Sequence, residues 1–149
     1  KNRNLGSRVL MLGRFPVERM PSFYAQADAL LVSLRQDPVF SMTIPGKVQS
    51  CLMAGVPILG MLDGEGAKVI EDAQAGLTCA AGDSEGLARQ VLRMADASVD
   101  QLKAWGVNGR RYASREFGRQ QLMDQLEGLL EEAVQIYCAR EKRESRVET

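Results

Sequence analysis

The sequence contains no histidine among its 149 residues. Histidine is the side chain whose charge changes near neutral pH, so its absence excludes His-based acid–base relays and Ser–His or Cys–His nucleophile pairs. It also excludes every metal site that has a histidine ligand. Any catalysis must therefore depend on other side chains and on the backbone.

Cysteine is scarce, and no apolar run is long. Cys51, Cys79 and Cys138 are widely spaced and form no C-x-x-C pair, which indicates reduced, mostly buried thiols and no zinc site. No apolar run approaches the ~20 residues that span a bilayer, and the N-terminus lacks the apolar segment of a signal peptide. These features exclude a disulfide framework and predict neither a membrane span nor a metal.

The chain has no excess of charge and no glycine-rich nucleotide motif. Lys plus Arg is 19 and Asp plus Glu is 19, whereas a nucleic-acid binder needs excess positive charge to displace counterions. A G-x-G-x-x-G fingerprint and a G-x-x-x-x-G-K-[ST] phosphate loop are both absent. Nucleic acid is therefore not an expected partner.

Short apolar runs alternate with segments of helical periodicity. The predicted strands are Arg8–Leu12, Ala29–Val32, Val56–Leu59 and Leu77–Ala80. The predicted helices are Pro21–Ala27, Val48–Ala54, Ala67–Ala75, Asp83 (as N-cap) to Ala95, Val99–Phe117 and Gly118–Arg140. Glycines at 55 and 76 are expected to end the helices before them. Strands separated by helices predict an α/β fold with a doubly wound parallel sheet, followed by two C-terminal helices.

The last predicted helix carries an apolar stripe from Leu122 to Ile136, with spacings of four and three residues. The simplest interpretation is that the stripe packs on the sheet of its own domain. A contact with a missing domain, or with a second copy of the chain, stays open. The tail Glu141–Thr149 alternates in charge and is expected to be a solvated end, with a membrane-surface role as the weaker alternative.

Ligands of open parallel sheets bind at the carboxyl ends of the strands. Three loops at such ends carry unusual residues: Gly13–Pro16, Leu34–Lys47 and Gly60–Gly66. We expect these loops to converge along one edge of the sheet.

Lys47 lies at a predicted helix start, after Pro45 and Gly46, with Thr43 or Ser41 as candidate cap. A helix N-terminus carries about half a positive charge, which disfavours a lysine there by a few tenths of a kcal/mol. A bound anion would reverse this effect, because free N–H groups, the dipole and the ammonium would all favour it. The pattern therefore predicts a phosphate site, unless Lys47 simply points into water.

The third loop places the carboxylates of Asp63 and Glu65 between Gly64 and Gly66. Acidic residues at a helix start are ordinary complements of the dipole. A carboxylate held by a glycine-rich backbone also suits recognition of sugar hydroxyls, and both interpretations stay open.

The segment Gly46–Leu59 (G-K-V-Q-S-C-L-M-A-G-V-P-I-L) resembles the donor-site segment of family-4-type glycosyltransferases with the two-domain B fold. Further segments resemble the same family in the same order. They are Val9–Arg14, Ala27–Val32, Asp63–Gly66, Gly76–Leu77, Gly82–Leu87 and Asn108–Tyr112 with Phe117.

The resemblance implies the nucleotide-sugar-binding domain of a retaining glycosyltransferase that needs no bound metal or other cofactor. Positive side chains and a helix N-terminus then stabilise the departing diphosphate. The resemblance implies a UDP-sugar in preference to a GDP-sugar, and a saccharide or lipid-linked acceptor in surface polysaccharide or lipopolysaccharide biosynthesis. The implied setting is cytoplasmic, with peripheral association at the inner face of the membrane as an open alternative.

The resemblance assigns roles to three groups of residues. It implies that Lys47 stabilises the diphosphate and that the loop of Asp63 faces the donor sugar, with Glu65 as the sugar contact. It implies that the loop Gly13–Phe15 binds the nucleotide base. The family's usual ribose contact does not carry over to this sequence, and Ser50, assisted by Gln49, is expected to bond the ribose instead. The full set of implied donor contacts is Gly13, Arg14, Phe15, Thr43, Ile44, Pro45, Gly46, Lys47, Gln49, Ser50, Asp63, Gly64 and Gly66.

Two departures from the family pattern stand out. Met42 and Ser50 occupy positions where many members carry glutamates, a loss shared by members with a T-I-P-x-K-V-Q-S segment. The chain also starts after the opening portion of the family's domain. We therefore expect residues 1–140 to be part of a C-terminal domain, inactive without its acceptor domain and able to self-associate through Leu122–Ile136.

Two rival functions remain open. One is a nucleotide-sugar epimerase of the same fold, although a chain without histidine does not obviously supply its acid–base chemistry. The other is a non-catalytic nucleotide-binding or assembly domain, which the missing glutamates favour.

Overall fold

The computed structural model describes residues 8–144, and side chains as far as Tyr137. The strands are β1 (Leu30–Ser33), β2 (Ile58–Met61) and β3 (Gly76–Cys79). The helices are α1 (Met20–Tyr24), α2 (Pro38–Ser41), α3 (Gly46–Ala54), α4 (Glu65–Asp72), α5 (Ser84–Ala95), α6 (Val99–Glu116) and α7 (Arg119–Glu144), with a 3₁₀ turn at Val17–Arg19 before α1. The predicted α/β fold class is confirmed.

The three strands form a parallel sheet in the order β1-β2-β3. The register pairs Leu30 with Ile58 and Ile58 with Gly76. β2 is the central strand, and its side chains at Ile58 and Leu59 are 0% and 8% exposed. All three carboxyl ends therefore lie at one edge, where the following loops begin.

The core lies between this sheet and the helices that connect its strands. Leu52 of α3, Ile58 of β2 and Ile70 of α4 are completely buried together. α6 packs closely on α3, since a Cβ at Gly109 would lie 3.3 Å from Cδ2 of Leu52. The connecting helices thus bury the sheet and hold α3 and α4 in place.

Both ends of α3 have a clear chemical cause. Gly55 takes the left-handed conformation at its C-terminus, with φ +71°, as predicted from the sequence. The guanidinium of Arg110 donates to the carbonyl oxygens of Met53 and Ala54, at 3.3 and 2.9 Å, and so satisfies the last turn. At the other end, Pro45 is the N-cap and makes no side-chain cap bond. The prediction that Thr43 or Ser41 caps this helix is wrong, because both hydroxyls donate to carbonyl oxygens of α2.

The predicted strand Arg8–Leu12 is wrong. Its apolar side chains are exposed, Met11 by 91%, and the described backbone hydrogen bonds include none from residues 9–12 to the sheet. An extended segment becomes a strand only where a neighbouring strand accepts its backbone hydrogen bonds. Within residues 8–144, the sheet offers such pairing only among β1, β2 and β3.

Two local predictions also need correction. α2 was predicted as loop, but Asp37 caps this single turn by accepting from the amide of Val39 at 3.0 Å. Gly76 was predicted to end α4, yet α4 ends at Asp72 and Gly76 opens β3. The left-handed residue that turns the chain after α4 is Gln74, with φ +48°.

The prediction that the apolar stripe of the last helix packs on the sheet is wrong. Every side chain from Gln121 to Tyr137 is exposed. The helices that contact the central strand are α4 and α5, and within residues 8–144 α7 makes no comparable contact with the sheet. α7 continues past the predicted end at Arg140 to Glu144, and residues 145–149 of the predicted tail lie outside the described part.

Two of the three cysteines have described side chains, and both are free thiols: Cys51 is buried and Cys79 is half-buried. Within residues 8–144 no helix combines the length and the apolar character that crossing a bilayer requires.

Replacing Leu52 by alanine should remove about 2–5 kcal/mol from the free energy of unfolding, because the side chain is fully buried between α3, α6 and the sheet. Urea denaturation measures the change. Leu92→Ala on α5 is the matched control, because Leu92 is 65% exposed and its loss should cost less than about 0.5 kcal/mol. Equal losses in the two variants would contradict the described core.

Candidate functional site

The loops after the three strands meet at the carboxyl edge of the sheet. Gly64, after β2, lies against the carbonyl oxygen of Ser41, the last residue of α2 in the connection after β1. Asp63 reaches the loop after β3, where its Oδ1 accepts from the amide of Ala81 at 3.0 Å. The predicted convergence is therefore confirmed for the loops that follow β1 and β2, and the loop after β3 joins them.

The same contacts bring together the N-termini of α3 and α4. A Cβ at Gly66, in the first turn of α4, would lie 3.0 Å from Cδ of Pro45, the N-cap of α3. Both N-caps, Pro45 and Gly64, make no side-chain cap bond. The first amides of two neighbouring helices are thus left for an external acceptor, which is the arrangement that binds anions.

Gly64 is the residue that allows this geometry. Its φ of +68° and ψ of −143° lie in a region that is essentially limited to glycine. A side chain at this position would also collide with the Ser41 carbonyl. The glycine-rich loop therefore serves close backbone packing as well as any ligand.

Lys47 lies in the first turn of α3, close to the two helix N-termini, and its side chain is exposed. Among the described residues the ion pairs are Arg35–Asp37, Arg89–Asp83 and Arg115–Glu116, so Lys47 belongs to none of them. The helix dipole disfavours a cation here, and none of the described carboxylates pairs with it. An unpaired lysine beside two helix N-termini is well placed to bind an anion.

The carboxylates of the third loop have different surroundings. Asp63 is half-buried and engaged by the Ala81 amide, so it ties the loop after β2 to the loop after β3. Glu65 is exposed in the first turn of α4, where it complements the dipole. The structure thus favours a positioning role for Asp63 and leaves Glu65 as the accessible acid.

Gln49 and Ser50 lie on another side of α3. With Tyr24 of α1 and Arg110 of α6 they line a cleft of about 660 Å³, most of whose other lining residues are apolar. The Ser50 hydroxyl donates to the Gly46 carbonyl oxygen within α3, at 3.0 Å. Their predicted place near a ribose is not tested by these contacts and stays a prediction.

The segment Gly13–Phe15 is not joined to the strand-end loops by the contacts described. Phe15 packs against Phe23 of α1, with ring centroids 4.9 Å apart, and Arg19 lies over both rings. Gly13 and Arg14 are exposed. The predicted base contact therefore remains a prediction for these three residues.

The remaining predicted contacts lie in the loop before α3. Thr43 is exposed and bonded to α2, whereas Ile44 is half-buried against the core. Arg35 of the same loop was not predicted as a contact; it pairs with Asp37 at 3.2 Å and lies over the Phe40 ring. The sequence feature that could have identified Arg35 is a basic residue two positions after the end of a strand.

The burial of Cys51 has an electrostatic consequence beside Lys47. Burial raises the pKa of the Cys51 thiol, and the Lys47 ammonium, one helical turn earlier, opposes this shift.

The described residues contain no group of three Cys, Asp or Glu side chains placed to hold a metal ion.

A family comparison adds to this geometry. Residues 1–97 match the family described as "Glycosyl transferases group 1". The chain belongs to this glycosyltransferase family. The match includes β1, α3, β2, α4 and both converging helix N-termini, so the family predicted from the sequence motifs is confirmed.

The solved structures similar to this group 1 chain include the sucrose-phosphate synthase of Thermosynechococcus elongatus. The TM-score is 0.69 at 21% sequence identity, and the match covers 89% of this chain. This likeness shows the fold, that of a glycosyltransferase of the B type. The chain spans about a third of that protein, 32% of its length. Comparison with curated proteins found no relative with significant similarity.

Replacing Gly64 by alanine should destabilise the protein by about 1–3 kcal/mol, because its backbone conformation suits only glycine and the Ser41 carbonyl fills the space. Thermal or urea unfolding measures the effect. Gly46→Ala is the control, since nothing lies within 4 Å of a Cβ at this helical position. A Gly64→Ala variant as stable as Gly46→Ala would refute the close contact of the two loops.

The raised pKa of Cys51 predicts a pH dependence of stability. The unfolded chain loses the thiol proton near pH 8.5, whereas the folded chain retains it to higher pH. The contribution is therefore complete below the unfolded pKa and is lost as the pH rises towards the folded pKa. The free energy of unfolding, measured with urea at pH 7 and pH 10, should fall less in Cys51→Ala than in the wild type. Equal falls would show that burial does not shift this thiol.

Proposed function

We propose that the chain forms the donor-binding part of a retaining, metal-independent glycosyltransferase. The donor is a nucleotide diphosphate sugar, a UDP-sugar in preference to a GDP-sugar. The acceptor is a saccharide or a lipid-linked molecule in the biosynthesis of surface polysaccharide or lipopolysaccharide. The setting is the cytoplasm, with peripheral association at the inner face of the membrane as the alternative. Membership of the group 1 family supports glycosyl transfer.

The observation that carries the proposal is the meeting of two uncapped helix N-termini at the carboxyl edge of the sheet. Pro45 of α3 and Gly66 of α4 lie in contact, so the N-termini of both helices are neighbours. A diphosphate offers several acceptor oxygens and at least two negative charges. Two adjacent helix N-termini match this chemistry better than one.

Lys47 supplies the mobile charge at the same place. When the glycosidic bond to the nucleotide breaks, negative charge grows on the departing diphosphate. Fixed amides and an ammonium that face this charge stabilise the transition state more than the ground state. Lys47 would therefore act on leaving-group departure without a proton transfer, consistent with a chain that lacks histidine.

The donor sugar is proposed to face the loop of Asp63. Asp63 holds that loop through the Ala81 amide, and exposed Glu65 is the acid that a sugar hydroxyl could reach. Gln49 and Ser50 are proposed for the ribose and Gly13–Phe15 for the base. The side cleft bordered by α1 supports grouping the ribose residues, since Gln49 and Ser50 both line it.

Calorimetric titration of the chain with UDP, UMP and GDP tests the proposal. UDP should bind more tightly than UMP, because only the diphosphate reaches both helix N-termini, and EDTA should not change the affinity. Lys47→Ala should weaken UDP binding about 10- to 100-fold, the effect of losing one charged contact of about 1.5–3 kcal/mol. The effect on UMP should be smaller.

Lys103→Ala on α6 is the matched control, since Lys103 is an exposed lysine away from the strand-end loops, and it should bind UDP like the wild type. Failure of both UDP and GDP to bind would refute the proposed function. Unchanged UDP affinity in Lys47→Ala would refute the role of Lys47 alone. Equal affinity for UDP and UMP would refute the diphosphate site at the paired helix N-termini.

A further inference from the structure

Helix α6 packs against the C-terminal end of α3 and against the turn that follows α4. Gly106 lies against the carbonyl oxygen of Gly55, the residue that ends α3, and a Cβ at Gly106 would collide with that oxygen. Gly109 contacts both neighbours, because a Cβ there would lie 3.3 Å from Cδ2 of Leu52 on α3 and 3.2 Å from Cβ of Ala75, which follows α4. These two glycines bring α6 close to both segments.

Two polar side chains of α6 add hydrogen bonds at the same places. The Arg110 guanidinium donates to the carbonyl oxygens of Met53 and Ala54, the last two residues of α3. The side-chain amide of Asn108 donates to the carbonyl oxygen of Gln74, in the turn after α4, at 3.3 Å. Hydrogen bonds from a guanidinium are charge-assisted, and a cation at a helix C-terminus also complements the dipole. Arg110 therefore fixes the C-terminal end of α3 on α6.

The length of α3 transmits a change at this end to the other. Its nine residues span about 13 Å at about 1.5 Å per residue. A tilt of about 5° around the C-terminal end would therefore move the N-terminus by about 1 Å. The contact between Pro45 and Gly66, which brings the N-termini of α3 and α4 together, depends on this placement. A misplacement of about 1 Å can cost a site about 100-fold in activity.

We propose that Arg110 is a positioning residue of the diphosphate site. By holding the C-terminal end of α3 on α6, it keeps the N-terminus of α3 beside that of α4. Arg110 acts through α3 and not by contact with the diphosphate, because its guanidinium binds the opposite end of this helix. The inference deepens the proposed function and rests on it wherever nucleotide binding is concerned.

A direct contact between Arg110 and the nucleotide is the alternative role. Arg110 lines the cleft that also contains Gln49 and Ser50, the residues proposed for the ribose. Such a contact would act on UDP and UMP alike, because both contain the ribose. A shift of the α3 N-terminus should instead weaken UDP more than UMP, since only UDP presents a diphosphate to both helices. The preference for UDP over UMP therefore separates the two roles.

NMR spectroscopy of the chain without ligand tests the position of α3 directly. In the wild type, a nuclear Overhauser effect should connect the Hδ protons of Pro45 with the Hα protons of Gly66, which the structure places in contact. Arg110→Ala should weaken or remove this signal, because α3 is no longer held at its far end. Arg93→Ala on α5 is the matched control and should keep the signal. Arg93 is an exposed arginine whose described hydrogen bond, to Gln90, stays within its own helix.

Calorimetric titration with UDP and UMP tests the consequence for binding. Arg110→Ala should weaken UDP binding about 10-fold and UMP binding by less than about 3-fold, as expected for a displacement below about 1 Å. Arg110→Lys should lie between this variant and the wild type, because lysine keeps the charge but lacks the planar fork that bonds two carbonyls. Both hydrogen bonds of Arg110 are exposed, so water can replace them and the variants should stay folded. Far-UV circular dichroism at the titration temperature checks the fold.

Three results would overturn this inference. The first is an Arg110→Ala variant that keeps the signal between Pro45 and Gly66. The second is an unchanged preference for UDP over UMP in a variant that binds UDP like the wild type. The third is an equal loss of affinity for UDP and UMP, which would identify a direct contact with the ribose. A wild type that binds neither UDP nor GDP would refute the proposed function, and the NMR signal would still decide whether Arg110 positions α3.

Discussion

The architecture depends on β2 being buried between β1 and β3. Ile58 and Leu59 lie almost without contact with water, so the backbone of this strand must find its hydrogen bonds in neighbouring strands on both sides. Parallel pairing satisfies this requirement and forces each connection to return through a helix. The carboxyl ends of all three strands then lie together, and α3 and α4 begin side by side. The position of the proposed diphosphate site is therefore a consequence of the parallel hydrogen bonds that β2 makes with its two neighbours.

The edge of the sheet shows how small residues bring backbone segments together. Gly64 lies against the Ser41 carbonyl, and Gly66 lies against Pro45. Each contact removes side-chain volume where two loops would otherwise be held apart. The result is that the N-termini of α3 and α4 lie side by side, with the exposed side chain of Lys47 in the first turn of α3. A site of this kind acts through fixed dipoles, which need no reorganisation as charge develops on a leaving group.

The sequence predicted most of the elements because each has a local chemical cause. Asp83 and Ser98 accept from amides at the starts of α5 and α6, and Gly55 ends α3 in the left-handed conformation. The predicted strand at residues 8–12 had the correct composition, but strand formation requires a partner that local composition does not report. The prediction that Thr43 or Ser41 caps α3 was wrong for a related reason. Both hydroxyls donate hydrogen bonds to carbonyl oxygens of α2, a helical turn that was not predicted.

The sequence by itself determined the fold class, the family and two of the loops that meet at the carboxyl edge of the sheet. Hydrophobic periodicity and the order of motifs depend on residues that are close in the sequence. Both can therefore be recognised without knowing the tertiary contacts of those residues. The tertiary structure decided what those residues touch. The side chain of Asp63 accepts a hydrogen bond from the Ala81 amide, and Gln49 and Ser50 line a cleft together with α1. The apolar stripe of α7 is exposed to solvent. These contacts depend on which surfaces of the sheet and helices are covered by other segments. The packing of segments that are distant in sequence determines this.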